Sequence, residues 1–220
     1  MTTTSETTGL PYIITPLKIG ECKPIANGGH RLVFAHPHHK SLLLKVVREE
    51  VRYGNRKALT FWQRHFQRFK HYNDFVREAV EHIASYAASE GLPSFVQQFY
   101  GFVETDLGLA AVSRAELDRD GNYARNLSEL ITQGEFDEAM RDDFDKFAEQ
   151  FISSDIVVGD LRPENLVYSH DSESREMHFV IIDGLGDKNS IPICSISKTY
   201  NRLSKRKRVN RLRKQIDSML

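Results

Sequence analysis

Asp160, Asn165 and Asp183 are the residues whose types and spacing most directly suggest chemistry. They lie in VVGDLRPENLVYSHDSESREMHFVIIDGLGD, residues 157–187. Asp160 and Asn165 stand five apart in a polar loop, and Asp183 closes an apolar run. The stretch reads as a short strand, that loop, and a pair of strands joined by a charged turn. Side-chain oxygens at the ends of neighbouring strands suit two tasks. Carboxylate and amide oxygens are ligands for hard cations, and a carboxylate held beside a hydroxyl can take its proton. A charge of opposite sign lies upstream, at Lys45 in the otherwise apolar LLLKVV. A lysine there needs a partner or an anion if the strand is internal, and faces solvent if the strand is an edge.

Elements on both sides must position these groups. YIITPLKIG, HRLVFAHP and SLLLKVVRE are short, β-branched and apolar, and are broken by Gly, Pro and His-rich turns. They predict strands of an antiparallel sheet. Helical spacing follows, with Leu59, Trp62, Phe66 and Phe69, then Val76, Val80, Ile83 and Ala87, on one face. Tyr72-Asn73-Asp74 can split this stretch, because Asn or Asp caps a second helix, and Gly91 and Pro93 end it. FVQQFYGFVETD and GLAAVSRAEL predict a strand pair turning at Asp106–Gly108. Phe136, Met140, Phe144, Phe147 and Phe151 mark an amphipathic helix leading into Asp160. His36, His38 and His39 surround Pro37 in an exposed turn. The organisation is a flexible tail at 1–10, a strand-rich lobe at 11–118 and a helical lobe at 119–220, with a cleft between the lobes of the kind that favours ligands.

Composition sets outer bounds. The chain has 220 residues and a formal net charge of zero, so no bulk attraction to nucleic acid or membrane is expected. Two cysteines are too few for a disulfide framework. No apolar stretch approaches a membrane span, and the start lacks a signal-peptide pattern. These features predict a cytoplasmic protein. The charge is uneven, however: Lys198–Lys214 holds nine Lys or Arg and no acid, whereas Glu135–Glu149 is mostly acidic. Two readings stay open for this basic tail. It recruits an anionic partner, RNA or a charged surface, or it docks on the acidic helix of its own chain.

GDLRPEN followed by IIDGLG resembles the catalytic and metal-binding loops of protein-kinase-like phosphotransferases. LLLKVV resembles the strand that carries their nucleotide-binding lysine. IANGGHRLVF falls where they place a Gly-rich phosphate loop. Over most of the chain, GGHRLVFAHP, KVV, the RE of the helix and YGFVETDLG resemble the bacterial PhoP regulatory network protein YrbL family, which is treated as kinase-like. The resemblance implies an α+β, minimal two-lobed protein-kinase-like fold, with a β-rich N-lobe and a truncated helical C-lobe. It also implies a bacterial protein linked to low-magnesium or envelope-stress responses.

It further implies roles. Asp160 would orient an acceptor hydroxyl and take its proton, and Arg162 would face the transferred phosphate. Asn165 and Asp183 would hold Mg2+. Lys45, paired with Glu78 or alternatively Glu81, would meet ATP phosphates, and Gly28 and Gly29 would let backbone N–H groups approach them. The departures are equally specific. Val158-Gly159 replaces His-Arg before Asp160, Gly184 stands where an aromatic is usual, and no A-P-E segment follows. The expected function is therefore ATP and Mg2+ binding with phosphate transfer to an acceptor that the sequence does not identify. A pseudokinase regulatory module and an anionic-partner adaptor are the alternatives.

Overall fold

The computed structural model describes residues 15–53, 70–88, 91–171, 174, 176–187 and 192–219. The tail at 1–10 and the helical spacing at Leu59, Trp62, Phe66 and Phe69 lie outside the described residues. The architecture is α+β. One antiparallel sheet has the order β1-β2-β3-β5-β4, formed by Ala26–Asn27 (β1), Arg31–Ala35 (β2), Leu42–Val47 (β3), Phe99–Thr105 (β4) and Gly108–Arg114 (β5). YIITPLKIG does not add a strand among the described residues. Pro16 has no N–H to donate to a ladder. Leu17 makes only an isolated bridge to Thr105, and the Ile19 and Gly20 N–H groups donate instead to the Asp106 carboxylate.

Pairing of β3 with both β2 and β5 makes it internal, which resolves the two readings of Lys45. Lys45 stands opposite Val33 on one side and Ala111 on the other, and is 5% exposed. Side chains alternate across a strand, so Leu44 and Val46 enter the cluster of Ile19, Phe34 and Ala110. Lys45 faces the opposite side with Val47, where Phe75 of helix α2 packs.

A short helix α1, Glu49–Tyr53, precedes α2, Asn73–Ala87. Helix α2 begins where the Tyr72-Asn73-Asp74 signal falls, but Tyr72 is the N-cap and no side chain caps it. Its orientation corrects the periodicity. Val80 and Ile83 are exposed, whereas Phe75, Glu78, Glu81 and His82 are buried. The charged groups turn inward because the internal Lys45 requires a counter-charge, and this outweighs the burial of two aliphatic side chains.

The remaining elements are α3 (Leu127–Thr132), α4 (Glu138–Ser153), the two-stranded β6–β7 (Leu166–His170 and Met177–Ile181), α5 (Ile193–Ile196) and α6 (Lys198–Met219). Asn126 and Glu129 form a capping box on α3, and Asp137 caps α4 by accepting from the Met140 N–H. The core here joins Phe144, Phe147 and Phe151 of α4 to Phe179 of β7 and to Val209, Leu212 and Ile216 of α6. The basic tail thus forms a helix and docks on α4, with Arg213–Asp145 at 2.7 Å and Arg141–Asp217 at 3.2 Å. Lys205 is fully buried; its Nζ donates to the Phe151 and Ser154 carbonyls and to Ser154 Oγ. It satisfies acceptors at the C-terminus of α4, where a cation is favoured. Among the described residues no helix is long and apolar enough to cross a membrane.

Candidate functional site

The loop after α4 is fixed from three sides before it delivers Asp160. Val158 bridges to Leu185 and Gly186. The Val157 N–H donates to Glu81 Oε1 at 2.7 Å. Asn201 of α6 donates to the Asp155 and Ile156 carbonyls. Gly159 and Asp160 then both donate their N–H groups to the Gly184 carbonyl, at 2.8 and 3.2 Å. The loop at Asp160 and the turn after Asp183 are therefore one backbone unit. Gly184 has φ +85°, and a Cβ there would lie 2.4 Å from the Asp160 carbonyl oxygen. The missing aromatic after Asp183 has a local cause, since the approach leaves no room for a side chain.

Pro163–Asn165 form a short 3-10 turn before β6. The Asn165 Nδ2 donates to the Asp160 carbonyl at 3.1 Å, and the Asn165 carbonyl accepts from the Ile182 N–H. The Asp160 carboxylate accepts from Arg162 Nε at 2.7 Å. Asp183 Oδ1 accepts from the Gly184 N–H and from Arg31.

Lys45 reaches this unit from the sheet. Its Nζ donates to the Ile182 carbonyl and to Gln97 Oε1, both at 2.6 Å, and forms an ion pair with Glu78 at 3.6 Å. Glu78 is thus the partner of Lys45, while Glu81 is spent on Val157. Both Lys45 and Glu78 are buried. His82, one turn on from Glu78, is buried beside them, packs its ring edge-on to Phe99, and makes no hydrogen bond with another described residue. Burial pushes its pKa below the ordinary histidine value; Glu78 opposes this shift and Lys45 adds to it.

Arg31 was not singled out by the sequence, although it follows Gly28-Gly29 by only two positions. It is buried, and lies 2.8 Å from Asp183, 3.3 Å from Glu78 and 3.7 Å from Asp74. Burial works against its charge, but the carboxylates of Asp183, Glu78 and Asp74 outweigh that and raise its pKa. Gln97 and Asp74 were also missed. A polar residue just before a strand and another in a first helical turn carry no signal of the partners that folding supplies.

These groups meet at a cleft of about 1280 Å3 between the sheet and the helical portion. Its walls include Gly28, Gly29, Arg31, Asp160, Asn165 and Asp183. Arg162 also lines it, and the far end of α6 closes one side through Gln215, Ser218 and Met219. Lys45 and Glu78 are not on the wall. Arg31 stands between them and the cleft. The oxygen donors fit Mg2+ in type: Asp183 keeps a second carboxylate oxygen and Asn165 an amide oxygen. Among the described residues no group of three His, Cys, Asp or Glu could hold a metal alone. Mg2+ in general keeps few protein ligands and takes others from phosphate and water.

Fold and site together define an α+β protein with an ion-paired cleft between a sheet and a helical core. Residues 17–217 match the PhoP regulatory network protein YrbL family, and the chain belongs to it. It is 26% identical over 188 residues to the protein named "Uncharacterized protein YrbL" from Escherichia coli (strain K12), a match covering 83% of this chain and 79% of the relative. The protein of the same name from Shigella flexneri matches to the same extent.

Proposed function

We propose that this protein is a minimal two-lobed, protein-kinase-like nucleotide-binding protein that seats ATP with Mg2+ in the cleft and transfers phosphate to an acceptor hydroxyl. The observation that carries this reading is the Lys45–Glu78 ion pair, buried on the sheet side of a backbone unit holding Asp160, Asn165 and Asp183. Phosphoryl transfer needs positioning and neutralisation of charge rather than covalent help from the protein. Mg2+ would supply positive charge that neutralises the phosphates. Asp183 and Asn165 would hold it through side-chain oxygens. Lys45 would bind phosphate, with Glu78 and Gln97 fixing its ammonium. Gly28 and Gly29 would let the β1–β2 turn lie close over the phosphates. Asp160 would receive the acceptor proton, and Arg162 would release Asp160 to face the transferred phosphate.

The test is a thermal-shift titration with ATP, with and without Mg2+, alongside phosphate release by wild type and Asp160→Asn. At about 100 times the dissociation constant, a ligand stabilises the folded state by about 2.7 kcal/mol. The shift should require Mg2+. Asp160→Asn should keep it while lowering turnover by about 10²–10⁴-fold. No shift with millimolar ATP on folded protein rejects the reading.

A second reading, a pseudokinase regulatory module, is favoured by one observation: the two carboxylates of the proposed chemistry are each tied to an arginine, Asp160 to Arg162 and Asp183 to Arg31. Nucleotide binding with turnover no greater than that of Asp160→Asn decides for it. An anionic partner for α6 is supported by its outward face. Arg202, Arg206, Lys207, Arg211 and Lys214 are exposed and form no ion pair with another described residue.

A further inference from the structure

We propose that Arg31 couples metal binding to nucleotide binding: it opposes a divalent cation at Asp183 until polyphosphate draws it away. This rests on the nucleotide reading above and assigns the regulation of that same cleft. Arg31 occupies a position that no sequence signal marked. Its guanidinium spans Asp183 at 2.8 Å and Glu78 at 3.3 Å, with Asp74 at 3.7 Å. It is the cation on the cleft wall closest to the proposed metal ligand, whereas Lys45 lies deeper, against Glu78, Gln97 and the Ile182 carbonyl.

The charges of this cluster balance without any addition. Arg31, Lys45 and Arg77 face Asp74, Glu78 and Asp183. A divalent cation alone therefore meets a carboxylate that is already neutralised, and stands beside a buried positive charge. Two cations on one carboxylate repel each other, and the buried Arg31 guanidinium is only weakly screened by water. A nucleotide changes the balance, because its phosphates offer the guanidinium a bidentate anion in place of Asp183. Gly28 and Gly29 form the turn that leads into Arg31 at the start of β2, so the anion and the side chain that would receive it meet at one end of that hairpin. Once Arg31 turns to phosphate, Asp183 is released to the cation, and Glu78 keeps Lys45 as its partner.

The experiment measures Mn2+ binding to the full chain by electron paramagnetic resonance, with and without ATP, and ATP binding in EDTA by calorimetry. Wild type should bind Mn2+ weakly alone and more tightly with ATP. Arg31→Met should tighten nucleotide-free Mn2+ binding by about tenfold, since one adjacent positive charge is removed. It should also weaken metal-free ATP binding. Arg31→Lys keeps the charge and should hold nucleotide-free Mn2+ affinity within about threefold of wild type. Adding Asp183→Asn to Arg31→Met should abolish the gain, which locates it at that carboxylate. Suppose wild type binds ATP with Mn2+, yet folded Arg31→Met and Arg31→Lys both bind Mn2+ alone as wild type does. The Arg31 assignment is then wrong, and the nucleotide reading survives. If wild type binds no ATP with or without Mn2+, both fall together.

Discussion

Glu81 and Val157 are joined by a hydrogen bond of 2.7 Å, from the Val157 N–H to Glu81 Oε1. Three positions earlier on the same helix, Glu78 meets Lys45 and Arg31. Helix α2 therefore fixes two things with one face: the charge balance of the cleft and the loop that carries Asp160. Replacing Glu81 by Gln keeps an acceptor and should change stability little. Replacing it by Ala leaves a buried N–H without a partner, at a cost of about 1–3 kcal/mol. Urea denaturation of the two variants checks this. Equal loss in both would mean that the carboxylate charge, not the acceptor, is what matters.

Two glycines of the cleft should respond differently to an added methyl group. At Gly184 the left-handed backbone alone costs about 1–2 kcal/mol for alanine, and the contact with the Asp160 carbonyl adds to it. At Gly29 a Cβ meets nothing within 4 Å. Gly184→Ala should lower Tm and remove the Mg2+-dependent part of the ATP shift. Gly29→Ala should leave Tm unchanged and act, if at all, on ATP affinity. Equal Tm values for the two variants would overturn the account of Gly184.

The basic helix should divide into two faces. Deleting residues 205–220 removes the buried Val209, Leu212 and Ile216, each worth about 1.5–3 kcal/mol. That sum rivals the whole stability of a typical domain, so the truncated chain should not give a cooperative unfolding transition. Lys207→Gln, Arg211→Gln and Lys214→Gln together lie on the outward face and should shift stability by no more than about 0.5 kcal/mol. A large loss from the triple variant would show that the outward cations also hold the fold.

His82 should make the protein less stable in mild acid. Its pKa in the folded state is lowered by burial, so below about pH 6.5 the unfolded chain binds a proton that the folded chain resists. Stability is then lost as pH falls through that value, by up to about 1.4 kcal/mol per pH unit until the folded state also titrates. His82→Phe keeps an aromatic ring against Phe99 and removes the titration. Urea unfolding at pH 7.5 and 5.5 should show a smaller loss for the variant; parallel losses would clear His82 of any part.

Much of the site was legible in the chain because its signals are local. The spacing of Asp160, Asn165 and Asp183, the single lysine in an apolar strand and the Asp106–Gly108 turn each depend on a few adjacent residues. The phenylalanines from 136 to 151 follow helical spacing, and the structure buries Phe144, Phe147 and Phe151 together. The direction of α2 was not legible. Its aliphatic residues Val76, Val80, Ile83 and Ala87 keep a helical period, but the face that turned inward carries Glu78, Glu81 and His82. Periodicity weighs apolar area and cannot weigh a counter-charge brought by a distant strand.

The sequence by itself determined strands β2 to β5, helices α2 and α4, their order and the residue types able to do chemistry, because propensity, turn chemistry and spacing act within a few positions. Only the tertiary structure decided that β3 is internal, that Glu78 rather than Glu81 meets Lys45, and that the basic helix buries one face while leaving the other charged. It alone brought Arg31 to Asp183, 152 positions away. Those outcomes depend on which charges are buried together. A buried charge finds its partner through the folded chain, whatever the distance along the sequence.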